Sequence, residues 1–282
     1  MTDPDRLFDR LDQLLDRLER MIPPAEPAEP DWSHRAYRWQ ARQLRPVEHI
    51  DRVDPAELLH IERQAGQLER NTEQFLAGLP ANNALLWGAR GTGKSSVVKS
   101  LMTRFADTDL CLVEVAKKES ETLPELIALL ASDARHYIVY LDDLSFEADD
   151  ESYKSLKAVL EGSIQAQPSN IVIYATSNRR HLMPENMQDN LDSRMEGGQL
   201  HPSDAIEEKI SLSDRFGLWL SFHPFTQNQY LDVVELALKR LGLEMDEQAT
   251  THALRFATQR GSRSGRIAQQ FATWWLGTKK DA

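Results

Sequence analysis

Residues 88–95 read Gly88-Ala89-Arg90-Gly91-Thr92-Gly93-Lys94-Ser95. They match G-x-x-x-x-G-K-[ST] without a gap. NALLW (83–87) precedes them with the apolar density of a strand, and SSVVKSLMTRF (95–105) follows with helical spacing. A strand, a glycine-rich turn and a helix in this order form a phosphate loop. Glycines let the backbone curl so that its N–H groups, with that of Ser96, point inward at a phosphate. The helix N-terminus adds partial positive charge. Lys94 is expected to bridge the outer two phosphates of a nucleoside triphosphate, and Ser95 to place its hydroxyl on Mg²⁺.

Working outward, LCLVEV (110–115), YIVYLDD (137–143) and NIVIYATS (170–177) are further short runs rich in β-branched and aromatic residues. Helical patterns lie between them, including SLKAVLEGS (155–163). Alternation of this kind predicts βαβ units and an α/β fold: a parallel sheet sandwiched by helices. A carboxylate at the C-terminal end of a parallel strand beside a phosphate loop is placed to hold Mg²⁺, usually through water. Asp142 is assigned that role. Asp143 is expected to face the attacking water as base or orienter, with Glu147 as a second candidate. Asn178 ends the next strand, where an amide can hold both water and the terminal phosphate in line.

The flanks differ in character. RLFDRLDQLLDRLERMI (6–22) repeats leucine at helical spacing and predicts an amphipathic helix over residues 1–22. PPAEPAEP (23–30) predicts a stiff, extended linker. Residues 31–80 read as a helical N-terminal region. Within it, Arg35, Arg38, Arg42 and Arg45 are spaced to share one helix face, interleaved with Trp32, Tyr37 and Trp39. A solvated basic face, nucleic-acid contact and an interface with an acidic neighbour all fit that pattern. Residues 226–276 hold three helical patterns and no strand, so the α/β core is expected over 81–223 and a helical lid over 224–282. Glu196-Gly197-Gly198 and the polar stretch to Lys209 predict a mobile loop.

Composition narrows the classes. The 282 residues are 41% hydrophobic and 27% charged, an ordinary globular balance. A net charge of -11 opposes broad basic contact with DNA but leaves room for a local patch. The single cysteine, Cys111, excludes an intrachain disulfide and a cysteine zinc site, and it falls in an expected central strand as a small buried hydrophobe. The eight histidines show no ligand spacing, so no metal beyond nucleotide Mg²⁺ is expected. No apolar run approaches the roughly 18 residues of a membrane span, and a cytoplasmic location is expected.

The phosphate loop, acidic strand end, polar strand end and trailing helices, in this order, resemble the AAA+ ATPases over about residues 55–276. The resemblance implies ATP as the nucleotide and a homo-oligomer. It makes Asn178 the residue that senses the terminal phosphate. Arg215, in Ser213-Asp214-Arg215-Phe216-Gly217, corresponds to a finger that reaches a neighbouring subunit's nucleotide in trans, with Arg194 as a rival. Gly265-Arg266 corresponds to the lid arginine that contacts the nucleotide in its own chain, with Arg263 nearby. His60-Ile61-Glu62 sits where the superfamily surrounds adenine. LERNTEQFLAGLPANNALLWGARGTGKSS (68–96), YLDDLSFE (140–147), EEKISLSDRFGLWLSFHPF (207–225) and RSGRIAQQF (263–271) resemble, more closely, a family of predicted ATPases catalogued as a domain of unknown function. Most AAA+ proteins carry Glu where this chain has Asp143. The Asp is similar to the replication-initiator and helicase-loader branch, and it withdraws the carboxylate by about one C–C bond. Two activities follow as expectations: ATP hydrolysis that remodels an unknown macromolecular partner, or slow-turnover, nucleotide-gated binding or loading, possibly on DNA.

Overall fold

The computed structural model describes residues 29–146, 151–161, 168–180, 182, 194–196, 199–201 and 212–280. The expected N-terminal helix, most of the proline linker and Glu147 lie outside these residues.

Four apolar runs form the strands expected of them: β3 (Ala84–Gly88), β4 (Leu110–Val115), β5 (His136–Leu141) and β6 (Ile171–Ser177). They lie in a seven-stranded sheet of order β2-β1-β4-β5-β6-β3-β9, with β1 (Ala36–Gln40), β2 (Gln43–Pro46) and β9 (Leu218–Phe222). All neighbours are parallel except the antiparallel pair β1–β2. The central strands are apolar on both faces because helices cover both. Leu86, Ile138 and Tyr140 face α1 (Glu62–Leu76) and α2 (Lys94–Arg104), while Leu85, Val139 and Ile173 face α3 (Leu123–Leu130) and α4 (Glu151–Glu161). Cys111 is fully buried in β4, and desolvation pushes its thiol up to about 11.

Three helices follow the sheet: α5 (Gln227–Arg240), α6 (Glu247–Gln259) and α7 (Gly265–Lys280). Thr226 opens α5 with a capping box, its hydroxyl accepting from the Gln229 N–H while the Gln229 side chain accepts from the Thr226 N–H. Tyr230, Val234, Ala253 and Phe271 pack these helices into the apolar cluster that also contains Leu86 and Val97. The three C-terminal helices and this face of the sheet thus share one core.

One expectation is corrected. Residues 36–46 form a β-hairpin, not part of a helix. Tyr37 and Trp39 alternate inward with exposed Arg38 between them, which is strand period. The register pairs Gln40 with Gln43, so Ala41 and Arg42 make a two-residue turn with φ of 50° and 57°. A turn with both central residues left-handed ordinarily uses Asn and Gly, so Ala-Arg carries no turn signal. The four arginines consequently share no helix face. Arg35 donates to the carbonyls of Phe105, Ala106 and Leu110 just past α2. Arg38 pairs with Glu114 and Arg42 with Glu125. Farther along, β7 (Arg194–Glu196) and β8 (Gln199–His201) pair antiparallel, and the rest of the expected mobile loop to Lys209 lies outside the described residues.

Candidate functional site

The C-terminal ends of β3, β5 and β6 meet the N-terminus of α2 and the first turn of α7 around a cleft of about 620 Å³. The turn after β3 is built for glycine. At Gly88, φ is +135°, and a Cβ would sit 1.9 Å from the carbonyl oxygen of Phe222. At Gly91, φ is +74°, and a Cβ would press on Ser264 and Arg266 at the start of α7. The Gly91 carbonyl instead accepts from the Gly265 N–H at 2.9 Å, so the start of α7 rests directly on the glycine turn.

Helix α2 starts at Lys94 with no side-chain cap, and Gly93, Lys94, Ser95 and Ser96 line the cleft. Its first N–H groups and its dipole are thereby turned toward that space. Lys94 is buried, and its ammonium donates to the carbonyls of Gly88 (2.9 Å) and Ala89 (2.7 Å) and to Asn178 Oδ1 (3.2 Å). Desolvation lowers its pKa, partly countered by Asp143 and Asp142. Asn178 in turn donates through Nδ2 to Asp143 Oδ1. A lysine at a helix start and an amide and a carboxylate just past two strand ends are therefore linked in one chain of contacts.

Asp142 lies beside them. Its Oδ1 accepts from Ser95 Oγ (2.9 Å), Tyr140 Oη (2.6 Å), Thr176 Oγ1 (2.5 Å) and the Asp143 N–H (3.1 Å). Desolvation pulls this carboxyl upward, but the bonds from Thr176, Tyr140 and Ser95 outweigh it and hold the pKa below the usual carboxylate value. Asp142 is thereby kept as an anion next to the Ser95 hydroxyl. Asp143 adopts φ +53°, in the left-handed region that non-glycine residues seldom occupy.

The remaining expected residues divide. Arg90, Gly91, Thr92 and Arg266 line the cleft. Arg215 follows a helical turn at 212–214, is exposed, and is not among the residues lining its own chain's cleft. Arg263 offers its backbone carbonyl to the Phe225 N–H. The side chain of Arg194 lies outside what is described. Of His60-Ile61-Glu62, only Ile61 lines the cleft. His60 (φ +65°) instead reaches Asp232 on α5 at 2.7 Å.

The apolar wall escaped the sequence reading. It comes from Leu58, Leu59, Phe225 and Val233, which lie far apart in the chain and carry no motif. Tyr140 and Thr176 also went unnoticed, although each sits two residues before a site residue on its strand and so on the same face.

The donor set fits a nucleoside triphosphate with its cation. An uncapped helix N-terminus, a lysine and two arginines face the phosphate region, Ser95 and Asp142 together offer oxygen ligands to a hard cation, and an apolar wall stands ready for a base. Among the described residues no group of three or more His, Cys, Asp or Glu forms another metal site. Nor is any described helix long and apolar enough to cross a membrane.

Solved structures share this architecture. The FIGL-1 AAA domain in complex with ADP superposes with a TM-score of 0.53 at 13% identity, over 80% of this chain and 73% of that one. The Aeropyrum pernix Orc1 protein in complex with DNA gives 0.51 at 16%, over 80% and 65%. A point variant of Thermotoga maritima RuvB gives 0.51 at 14%, over 76% and 59%. This chain thus spans less than two thirds of those RuvB and Orc1 chains. The fold is that of the AAA+ ATPases. The particular family is also clear: the chain belongs to the one described as "Protein of unknown function (DUF815)", which matches residues 32–279. No curated protein matches the sequence.

Proposed function

We propose that the cleft binds Mg-ATP and that the chain is an ATPase which uses hydrolysis to remodel a macromolecular partner, working in the cytoplasm as a homo-oligomer. The observation that carries this is the linkage of Lys94, Asn178 and Asp143, beside the Ser95–Asp142 pair, at an uncapped helix N-terminus. The backbone from Gly88 to Ser96 would cradle the phosphates. Lys94 would exchange its carbonyl partners for phosphate oxygens, and Arg90 and Arg266 would add positive charge. Ser95 would offer its lone pairs to the cation while its hydroxyl goes on donating to Asp142. Magnesium, when bound, offsets phosphate charge that would otherwise oppose attack. Asp143 would take the proton of the attacking water, with Asn178 holding that water in line. Arg215 would act on the nucleotide of a neighbouring subunit, consistent with its place outside its own cleft.

A slower, switch-like reading has one observation in its favour. Asp143 is short, left-handed, and held by Asn178, so its carboxylate is restrained from advancing on a water. Misplacement by about 1 Å can reduce rate roughly 100-fold. In that reading ATP gates binding or loading of a partner, and the Orc1 structure with DNA makes nucleic acid a natural choice to try.

Steady-state turnover with and without single-stranded DNA separates the two. A rate of about 1 s⁻¹ or more supports the motor, and tight ATP binding with negligible turnover supports the switch. Asp143→Asn should retain ATP and lose whatever turnover the native chain has. Unchanged turnover in that variant would remove Asp143 from the mechanism.

A further inference from the structure

Tyr140 and Thr176 are almost fully buried, at 2% and 1% exposure, yet both aim hydroxyls at Asp142, which lines the cleft. Buried hydroxyls require acceptors. Here both find the same one, Asp142 Oδ1, at 2.6 and 2.5 Å. A phenol and an alcohol bonded to a carboxylate at these lengths form strong, charge-assisted contacts.

Thr176 is doubly engaged. Its Oγ1 accepts from the Asp143 N–H at 2.9 Å, so its single proton is left for Asp142. Its carbonyl accepts from the Leu144 N–H at 2.7 Å. The end of β5 is thereby tied to β6 through three bonds to one residue. This tie holds Asp143 in its left-handed conformation and sets the orientation of Asp142.

We propose that Tyr140 and Thr176 are positioning residues that preset Asp142 for the cation accompanying the nucleotide, so that their hydroxyls set how much magnesium the site requires. This rests on the nucleotide reading above. The hydroxyls need not touch nucleotide or cation. They act through Asp142, as outer partners of a metal ligand do, and loss of such partners commonly weakens metal affinity about 10–100-fold. Tyr140→Phe keeps the ring that packs in the core and removes only the contact to Asp142. Thr176→Val removes that contact, together with the acceptor of the Asp143 N–H, at nearly constant shape, and Thr176→Ser restores both.

The test uses the full chain and N-methylanthraniloyl-ATP, with binding followed by fluorescence across a magnesium series and in EDTA. Tyr137→Phe on the same strand is the control, because Tyr137 donates to Asp133 at the far end of the sheet. The magnesium concentration at half-maximal gain in affinity should rise about 10–100-fold in Tyr140→Phe and Thr176→Val. It should stay at the native value in Thr176→Ser and Tyr137→Phe, and affinity in EDTA should be unchanged throughout. A native magnesium midpoint in Tyr140→Phe overturns the proposal, as does an equal loss of affinity with and without magnesium. If Tyr140→Phe does not fold, the comparison of Thr176→Val with Thr176→Ser decides by the same criterion. Failure of the native chain to bind the probe even at saturating magnesium overturns the nucleotide reading itself, which the variants alone cannot do.

Discussion

The two ends of β5 use nearly the same parts for opposite purposes. Before the strand stand Asp133 and Arg135, with Tyr137 inside it; after it stand Asp142 and Asp143, with Tyr140 inside it and Lys94 opposite. At the first end the cation and carboxylate are joined directly. Arg135 donates to Asp133, to the carbonyls of Trp32 and His34 and to Tyr137, while the rings of Trp32 and Tyr137 stack near its guanidinium. Tyr137 donates to the same Asp133 oxygen. At the second end, Lys94 bonds to carbonyls and an amide, and the aspartates line an open cleft. A charge paired directly with an opposite charge of its own chain anchors the fold. A charge facing a cavity that neutral groups only partly satisfy is available to a ligand. Strand direction decides which end is which, since parallel strands gather loops and helix N-termini at their C-terminal ends.

Substitutions at the two ends should separate cleanly. The largest effect is expected for Lys94→Ala. Loss of the buried cation should weaken ATP binding by about 3 kcal/mol, roughly 100-fold or more, measured by calorimetry. Its fold should survive, since the carbonyls it contacts lie at the cleft. Retained ATP affinity would erase the contrast.

Arg135→Met should do the reverse. It strips Asp133 and two backbone carbonyls of their donor, and should destabilise the chain by about 2–4 kcal/mol in urea unfolding. ATP affinity of the folded fraction should be unchanged. An undiminished urea midpoint would mean that the stacked arginine contributes packing alone.

A smaller effect concerns acid. At Asp133 partial burial raises the carboxyl pKa, but hydrogen bonds from Arg135 and Tyr137 more than reverse this and leave it below its usual value. A carboxyl lowered in the folded state contributes stability above its unfolded pKa of about 3.9. That contribution disappears as pH falls through the lowered folded value. Asp133→Asn should therefore reduce stability at neutral pH and flatten the curve below about pH 4. Parallel acid limbs for native and variant chains would show that Asp133 gains nothing from its partners.

How much was legible follows from the range of the forces involved. The glycine turn after β3 and the places of Asp142, Asp143 and Asn178 past strand ends were readable because each is dictated locally: a glycine turn, a strand end, a helix start. The hairpin at 36–46 was hidden because its arginines imitate helical spacing and its Ala41-Arg42 turn lacks glycine. Partners from far along the chain overrode that local pattern: β4 supplies hydrogen bonds, Glu114 and Glu125 supply charge, and Thr122 receives the Trp39 indole.

By itself the amino-acid order determined the α/β class, the glycine turn after β3 and the acidic strand end, since these arise from contacts between near neighbours and from a period of two or 3.6. Only the tertiary structure decided that Leu58, Phe225 and Val233 form one apolar wall, that Arg135 serves the fold while Lys94 faces a cleft, and that Tyr140 and Thr176 converge on Asp142. Those outcomes depend on which strands become neighbours, and strand order is settled by burial of the whole sheet between its helices, a property no short window of sequence contains.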